Sequence, residues 1–84
     1  MPYQVLIKRS AEKELDALPA VVQERIGKRL LLLEENPRPS GIKKMQGQEG
    51  YRLRVGDYRV LYTIHDNSRQ IVIYAIGHRR EVYR

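Results

Sequence analysis

The chain has 84 residues, no cysteine, and sixteen Lys and Arg against ten Asp and Glu, for a formal charge of +6 and a pI near 9.9. This length accommodates one domain, residues 1–84; the lack of cysteine excludes disulfides and thiolate metal sites; and apolar runs such as Leu30 to Leu33 are far short of the ~18 residues that cross a bilayer. With no basic segment leading into a long apolar run in MPYQVLIKRS, the expectation is a soluble, cytoplasmic protein.

Residues 3–8, YQVLIK, are β-rich and predict a first strand. Ser10 is placed as an N-cap, with Glu12 and Glu14 near the positive end of a helix dipole. Ala11, Leu15 and Leu18 mark one face of that helix, and Pro19 suits the first turn of a second. Val22, Ile26, Leu30 and Leu33 continue the stripe until Asn36-Pro37-Arg38-Pro39 ends the helix, giving a helical hairpin over roughly residues 10–36. Residues 37–49 read as a loop carrying Lys43 and Lys44, which suit a phosphate backbone and solvated surface alike. Strands are predicted at 50–55, 58–65 and 70–77, divided by Gly56-Asp57 and by the turn cluster Asp66-Asn67-Ser68-Arg69. The fold class is α+β: a strand, two helices, then a three-stranded antiparallel meander, with the helices on one face of a mostly antiparallel sheet.

The charge is concentrated at one end. Residues 50–84 hold seven basic residues, all Arg, against three acidic ones, whereas residues 1–49 hold nine against seven. Arg forks bind phosphate bidentately and stack on bases, so a polyanion such as nucleic acid is one reading and a merely basic surface is the other. Register sharpens the choice. A two-residue turn at Gly56-Asp57 pairs Val55 with Tyr58, sets Arg54 opposite Arg59 and Leu53 opposite Val60, and places Arg52 opposite Leu61. Tyr51, Leu53, Val55, Tyr58, Val60, Tyr62 and Ile64 then form a core face, joined by Ile71, Ile73 and Ala75. The other face carries Arg52, Arg54, Arg59, Leu61 and Thr63, joined by Val72, Tyr74, Ile76 and His78, with Arg79 and Arg80 just beyond. Like charges opposed on a sheet repel, and no acid on this face relieves them, which favours an anionic ligand. Lys43, Lys44 and Arg80 are candidate RNA-binding residues around it.

Zinc, a nucleophile elbow, a phosphate-binding Gly-rich loop and a two-metal acidic pair all lack their residues here. RNA brings its own nucleophile, the 2′-OH, and attack on the adjacent phosphate needs alignment, charge stabilisation and proton transfer. Arg supplies the charge but does not deprotonate. His78 titrates near neutrality, and Tyr83, with a reference pKa near ~10, can donate a proton or stack on a base. Each also has a structural reading, His78 as a strand-end polar group and Tyr83 as an anchor for the tail.

YRLRVGDYRVLY, the preceding IKKMQGQEG and the ending IGHRREVY resemble the RelE-like toxins of the RelE/ParE toxin–antitoxin superfamily, over nearly the whole chain. The resemblance implies a cofactor-free mRNA interferase that enters the ribosomal A site. There the 2′-OH attacks the phosphate, leaving a 2′,3′-cyclic phosphate (or 3′-phosphate) and a 5′-OH. It implies a site of Arg52, Arg54, Arg59, Arg79 and Tyr83, with Arg59 and Arg79 on the phosphate. The best-known members carry lysines where this chain has Arg52 and Arg54, so these two act through charge and proton transfer falls to His78 or Tyr83. The implied partners are a cognate antitoxin, the ribosome and mRNA. The alternatives are a ParE-like, non-enzymatic inhibitor of DNA gyrase and an RNA-binding module without catalysis.

Overall fold

The computed structural model describes residues 2–78, so the expectations for Arg79, Arg80 and Tyr83 lie outside the described residues. The elements are β1 (Gln4–Ile7), α1 (Arg9–Asp16), α2 (Ala20–Glu35), β2 (Lys43–Lys44), β3 (Tyr51–Val55), β4 (Tyr58–His65) and β5 (Gln70–His78). They build one five-stranded sheet in the order β1-β5-β4-β3-β2, parallel only between β1 and β5. The α+β order, the helical hairpin and the meander match the sequence expectation. β2 is an addition, a two-residue strand inside the expected loop.

Ser10 is not the N-cap. Helix α1 begins at Arg9, and its cap position is Lys8, with no side-chain cap bond. The cause is the strand before it. Lys8 still donates its N–H to Ile73 in the sheet while its carbonyl already accepts from Glu12, so strand and helix share that residue. Ser10 therefore falls inside the first turn.

Both helices pack on one face of the sheet. Ala11, Ile26, Leu30 and Leu33 meet Leu53, Val55, Val60, Tyr62, Ile71, Ile73 and Ile76 in a single buried cluster. Hydrophobic burial of this stripe fixes which sheet face turns inward. No helix among the described residues is long and apolar enough to cross a membrane.

The expected pairings across both turns are present, from Arg54 opposite Arg59 to His65 opposite Gln70. Further along β5 the expectation fails. Leu61 pairs with Ala75 but Tyr62 pairs with Ile73, so one extra residue, Tyr74, bulges from β5. Every residue after it changes face. Ile76 lies opposite Val60 and is buried in the core, Ala75 joins the arginine face in its place, and His78 lies opposite Tyr58. The sheet edge beyond β1 is closed by α1, where Glu14 Oε1 accepts the N–H of Ile76 at 3.1 Å.

A polar cluster fastens the segment leading to β2. Tyr62 donates its hydroxyl to the Pro37 carbonyl at 2.9 Å. Next to it, Arg38 pairs with Asp66 at 3.0 Å and lies 5.7 Å over the Tyr51 ring. Tyr3 donates to the same carboxylate at 2.6 Å. The Arg38 guanidinium, and then the Tyr3 hydroxyl, hold the Asp66 carboxyl below the usual carboxylate range. A depressed carboxylate stabilises the fold above its unfolded pKa, near ~3.9, and loses that contribution as pH falls through the lower folded value. Asp66→Asn is therefore expected to lower Tm at pH 7, with the gap from wild type closing below about pH 4. Melting curves across that range check it, and a pH-independent gap would contradict it.

Candidate nucleic-acid interface

Gly56 takes φ +61 in the β3–β4 turn, a conformation glycine adopts without steric cost, and the tight turn sets the register of the hairpin. That register places Arg54 directly opposite Arg59, and β2 adds Lys43 opposite Arg52. Directly opposed residues point to the same side. Lys43, Arg52, Arg54 and Arg59 thus share the sheet face turned away from the helices. Lys44 pairs with Tyr51 and falls on the other side. Lys43 and Arg54 are exposed, while Arg52 and Arg59 are partly buried.

The floor between these cations is apolar. Leu61 is 2% exposed although it lies on the face opposite the core cluster. Its register neighbours on that face are Arg52 and Ala75, and arginine stems commonly cover apolar surface in this way while the charged head stays wet. Arg54 turns its Nε to the Gly56 carbonyl at 3.0 Å. Beside Arg59, β5 presents Gly77, which offers no side chain to obstruct a ligand. No Asp or Glu occupies this face among the described strand residues. In such an arrangement a bound anion strengthens the sheet that repulsion weakens.

Among the expected site residues, Arg52, Arg54 and Arg59 are brought together and Lys43 joins them. His78 is not on their face: its ring meets Tyr58 edge-on, 5.7 Å between centroids, on the side set by the bulge. The chain's other histidine, His65, does share the parity of Arg59 and hydrogen-bonds Thr63 Oγ1 at 3.0 Å. Six residues along a strand is ~20 Å, too far to serve a phosphate held at Arg59. The alternation Arg59, Leu61, Thr63, His65 is the sequence signal that places it.

A family model described as ParE toxin of type II toxin–antitoxin system, parDE, matches residues 5–83. Toxin RelG of Mycobacterium tuberculosis is 33% identical, spanning 100% of this chain and 99% of its own length. The chain belongs to the RelE/ParE family of type II toxins. Toxin RelE3 of Methanocaldococcus jannaschii is 32% identical over 95% of this chain and 94% of its own length. Among solved structures, the RelE–RelB complex from Pyrococcus horikoshii superimposes with a TM-score of 0.83 at 31% identity, covering 96% of this chain and 99% of that one. The toxin therefore carries the RelE fold, and its cationic face is built on the meander of that fold.

Proposed function

We propose that the toxin is a ribosome-dependent, metal-independent endoribonuclease that cleaves translated mRNA in the A site and so halts translation in the cytoplasm. One observation carries this reading: Arg54 directly opposite Arg59, with Arg52 and Lys43 alongside, on a sheet face with no described carboxylate. A phosphodiester brings negative charge to this cluster, and that charge grows as the 2′-oxygen adds to phosphorus. Donors fixed beforehand where charge develops are worth more in the transition state than in the ground state. Arg52, Arg54 and Arg59 hold the phosphate oxygens. Arg79 adds charge, and Tyr83 stacks on a base or passes a proton to the departing 5′-oxygen; the P–O5′ bond breaks as the 2′-O–P bond forms, and the 2′-OH gives up its proton to solvent water. The products are a 2′,3′-cyclic phosphate and a 5′-OH.

His78 is not assigned the proton transfer in this reading, because its ring is engaged by Tyr58 on the far side of the sheet. A cognate antitoxin is the proposed partner in storage, by likeness to the RelE–RelB complex of the archaeal relative, and the net +6 suits an acidic one. Brief expression in a bacterium, with mRNA 5′ ends mapped, tests the reading. New in-frame ends in translated messages, absent with Arg59→Ala, are expected. DNA damage without such ends would replace this reading with gyrase inhibition.

A further inference from the structure

The face that bears the arginines is divided. Toward the Gly56 turn it is cationic; toward β1 it is apolar. Leu6 is 37% exposed and pairs with Val72, which pairs in turn with Thr63. Tyr74, the bulged residue, lies beside this strip. Its hydroxyl is buried without a hydrogen-bond partner, and it reaches the start of β3, 3.2 Å from where a Gly50 Cβ would stand. The side chain therefore crosses the sheet over β4, pinned at its tip. The residue as a whole is only partly buried. Two strand spacings, ~10 Å, separate the backbones of Tyr74 and Arg52.

A nucleotide has the same division, an anionic phosphate at one end and a flat apolar base at the other. We propose that Tyr74, with Val72, forms a seat for a nucleobase of the RNA strand whose phosphate lies on Arg52, Arg54 and Arg59. The seat rests on the reading of this face as an RNA site. Three features fit a stacking platform. Strand parity with Val72 puts the ring on this face, and the bulge leaves Tyr74 without a register partner on β4. The buried tip restrains the ring, which lowers the entropy cost of stacking on it. Val72, two residues before Tyr74 on the same face, offers apolar contact for the base edge.

The test uses the full-length toxin, a short non-cleavable 2′-O-methyl RNA, and the same RNA with one abasic position at a time. Tyr74→Leu is expected to weaken binding of the intact RNA about tenfold, within the range of single base–aromatic stacks. One abasic position should weaken binding to wild type by a similar factor and add nothing to Tyr74→Leu. Tyr74→Phe, which keeps the ring and removes the unpartnered hydroxyl, is expected to bind like wild type and to melt at a higher temperature. If Arg52→Ala weakens binding but Tyr74→Leu binds both RNAs as wild type does, the base seat is wrong and the RNA face stands. If neither variant changes binding, both fail. If Tyr74→Leu melts far below wild type, the decision passes to Tyr74→Phe and the abasic series on wild type: no abasic position that weakens binding overturns the seat.

Discussion

Arg59→Ala is expected to reduce cleavage of the A-site codon by at least about 10²-fold, the scale seen when one preorganised donor to a developing charge is removed. Arg59 is the only one of the three strand arginines past the turn, and it stands between Arg54 on β3 and Gly77 on β5. Because the lost interaction strengthens as the phosphate gains charge, the loss should fall mainly on the rate of the chemical step, with a smaller loss in ribosome binding. Arg59→Lys should recover only part, since an ammonium keeps the charge and loses the planar fork. Single-turnover cleavage on programmed ribosomes separates the two quantities. Equal single-turnover rates for wild type and Arg59→Ala would remove Arg59 from the reaction.

Gly50→Ala is expected to cost at least about 2 kcal/mol, the middle of the range for a residue held in a disfavoured backbone region. Gly50 has φ +121, and an added Cβ would lie 2.8 Å from the Tyr62 carbonyl oxygen and 3.2 Å from the Tyr74 hydroxyl. The first neighbour is backbone in the middle of the sheet and cannot withdraw. Gly50 also accepts at its carbonyl from the N–H of Met45, just past β2, at 2.9 Å. The strain therefore reaches the strand that presents Lys43. For a domain of this size the loss corresponds to a fall in Tm of roughly 8–16 °C. Thermal melting by circular dichroism checks it, and a shift under about 2 °C would mean the chain relaxes around the methyl group.

The hairpin was legible because its parity is unambiguous. Arg52, Arg54 and Arg59 alternate with Leu53, Val55 and Val60, and Gly56-Asp57 fixes the phase between them. The helical stripe from Val22 to Leu33 was legible for the same reason, at a different period. β5 was not. Ile71 through Ile76 is apolar at every position, so either phase satisfies the core and a bulge leaves no trace in the pattern. That is why Ile76 and His78 were expected on the arginine face. Ser10 misled because a good cap residue sat two positions too late, and the sheet bond at Lys8 set the helix start instead. The pairing of β2 with β3 follows a segment held by the contacts of Pro37 with Tyr62 and of Arg38 with Asp66, neither of which local sequence encodes. In the candidate site, the residue types came from composition and the turn, while the choice of Lys43 over Lys44 came from β2.

On the proposed reading, this arginine face stabilises attack by the RNA's own 2′-oxygen. The most direct test is a programmed ribosome carrying an mRNA with one 2′-deoxy nucleotide at the mapped cleavage site in the A-site codon. Wild-type toxin is expected to leave this message uncut at that phosphate while cutting the all-ribose message to a 2′,3′-cyclic phosphate end. Cleavage of the deoxy message at the same phosphate would mean that water or a protein group is the nucleophile, and would contradict that reading.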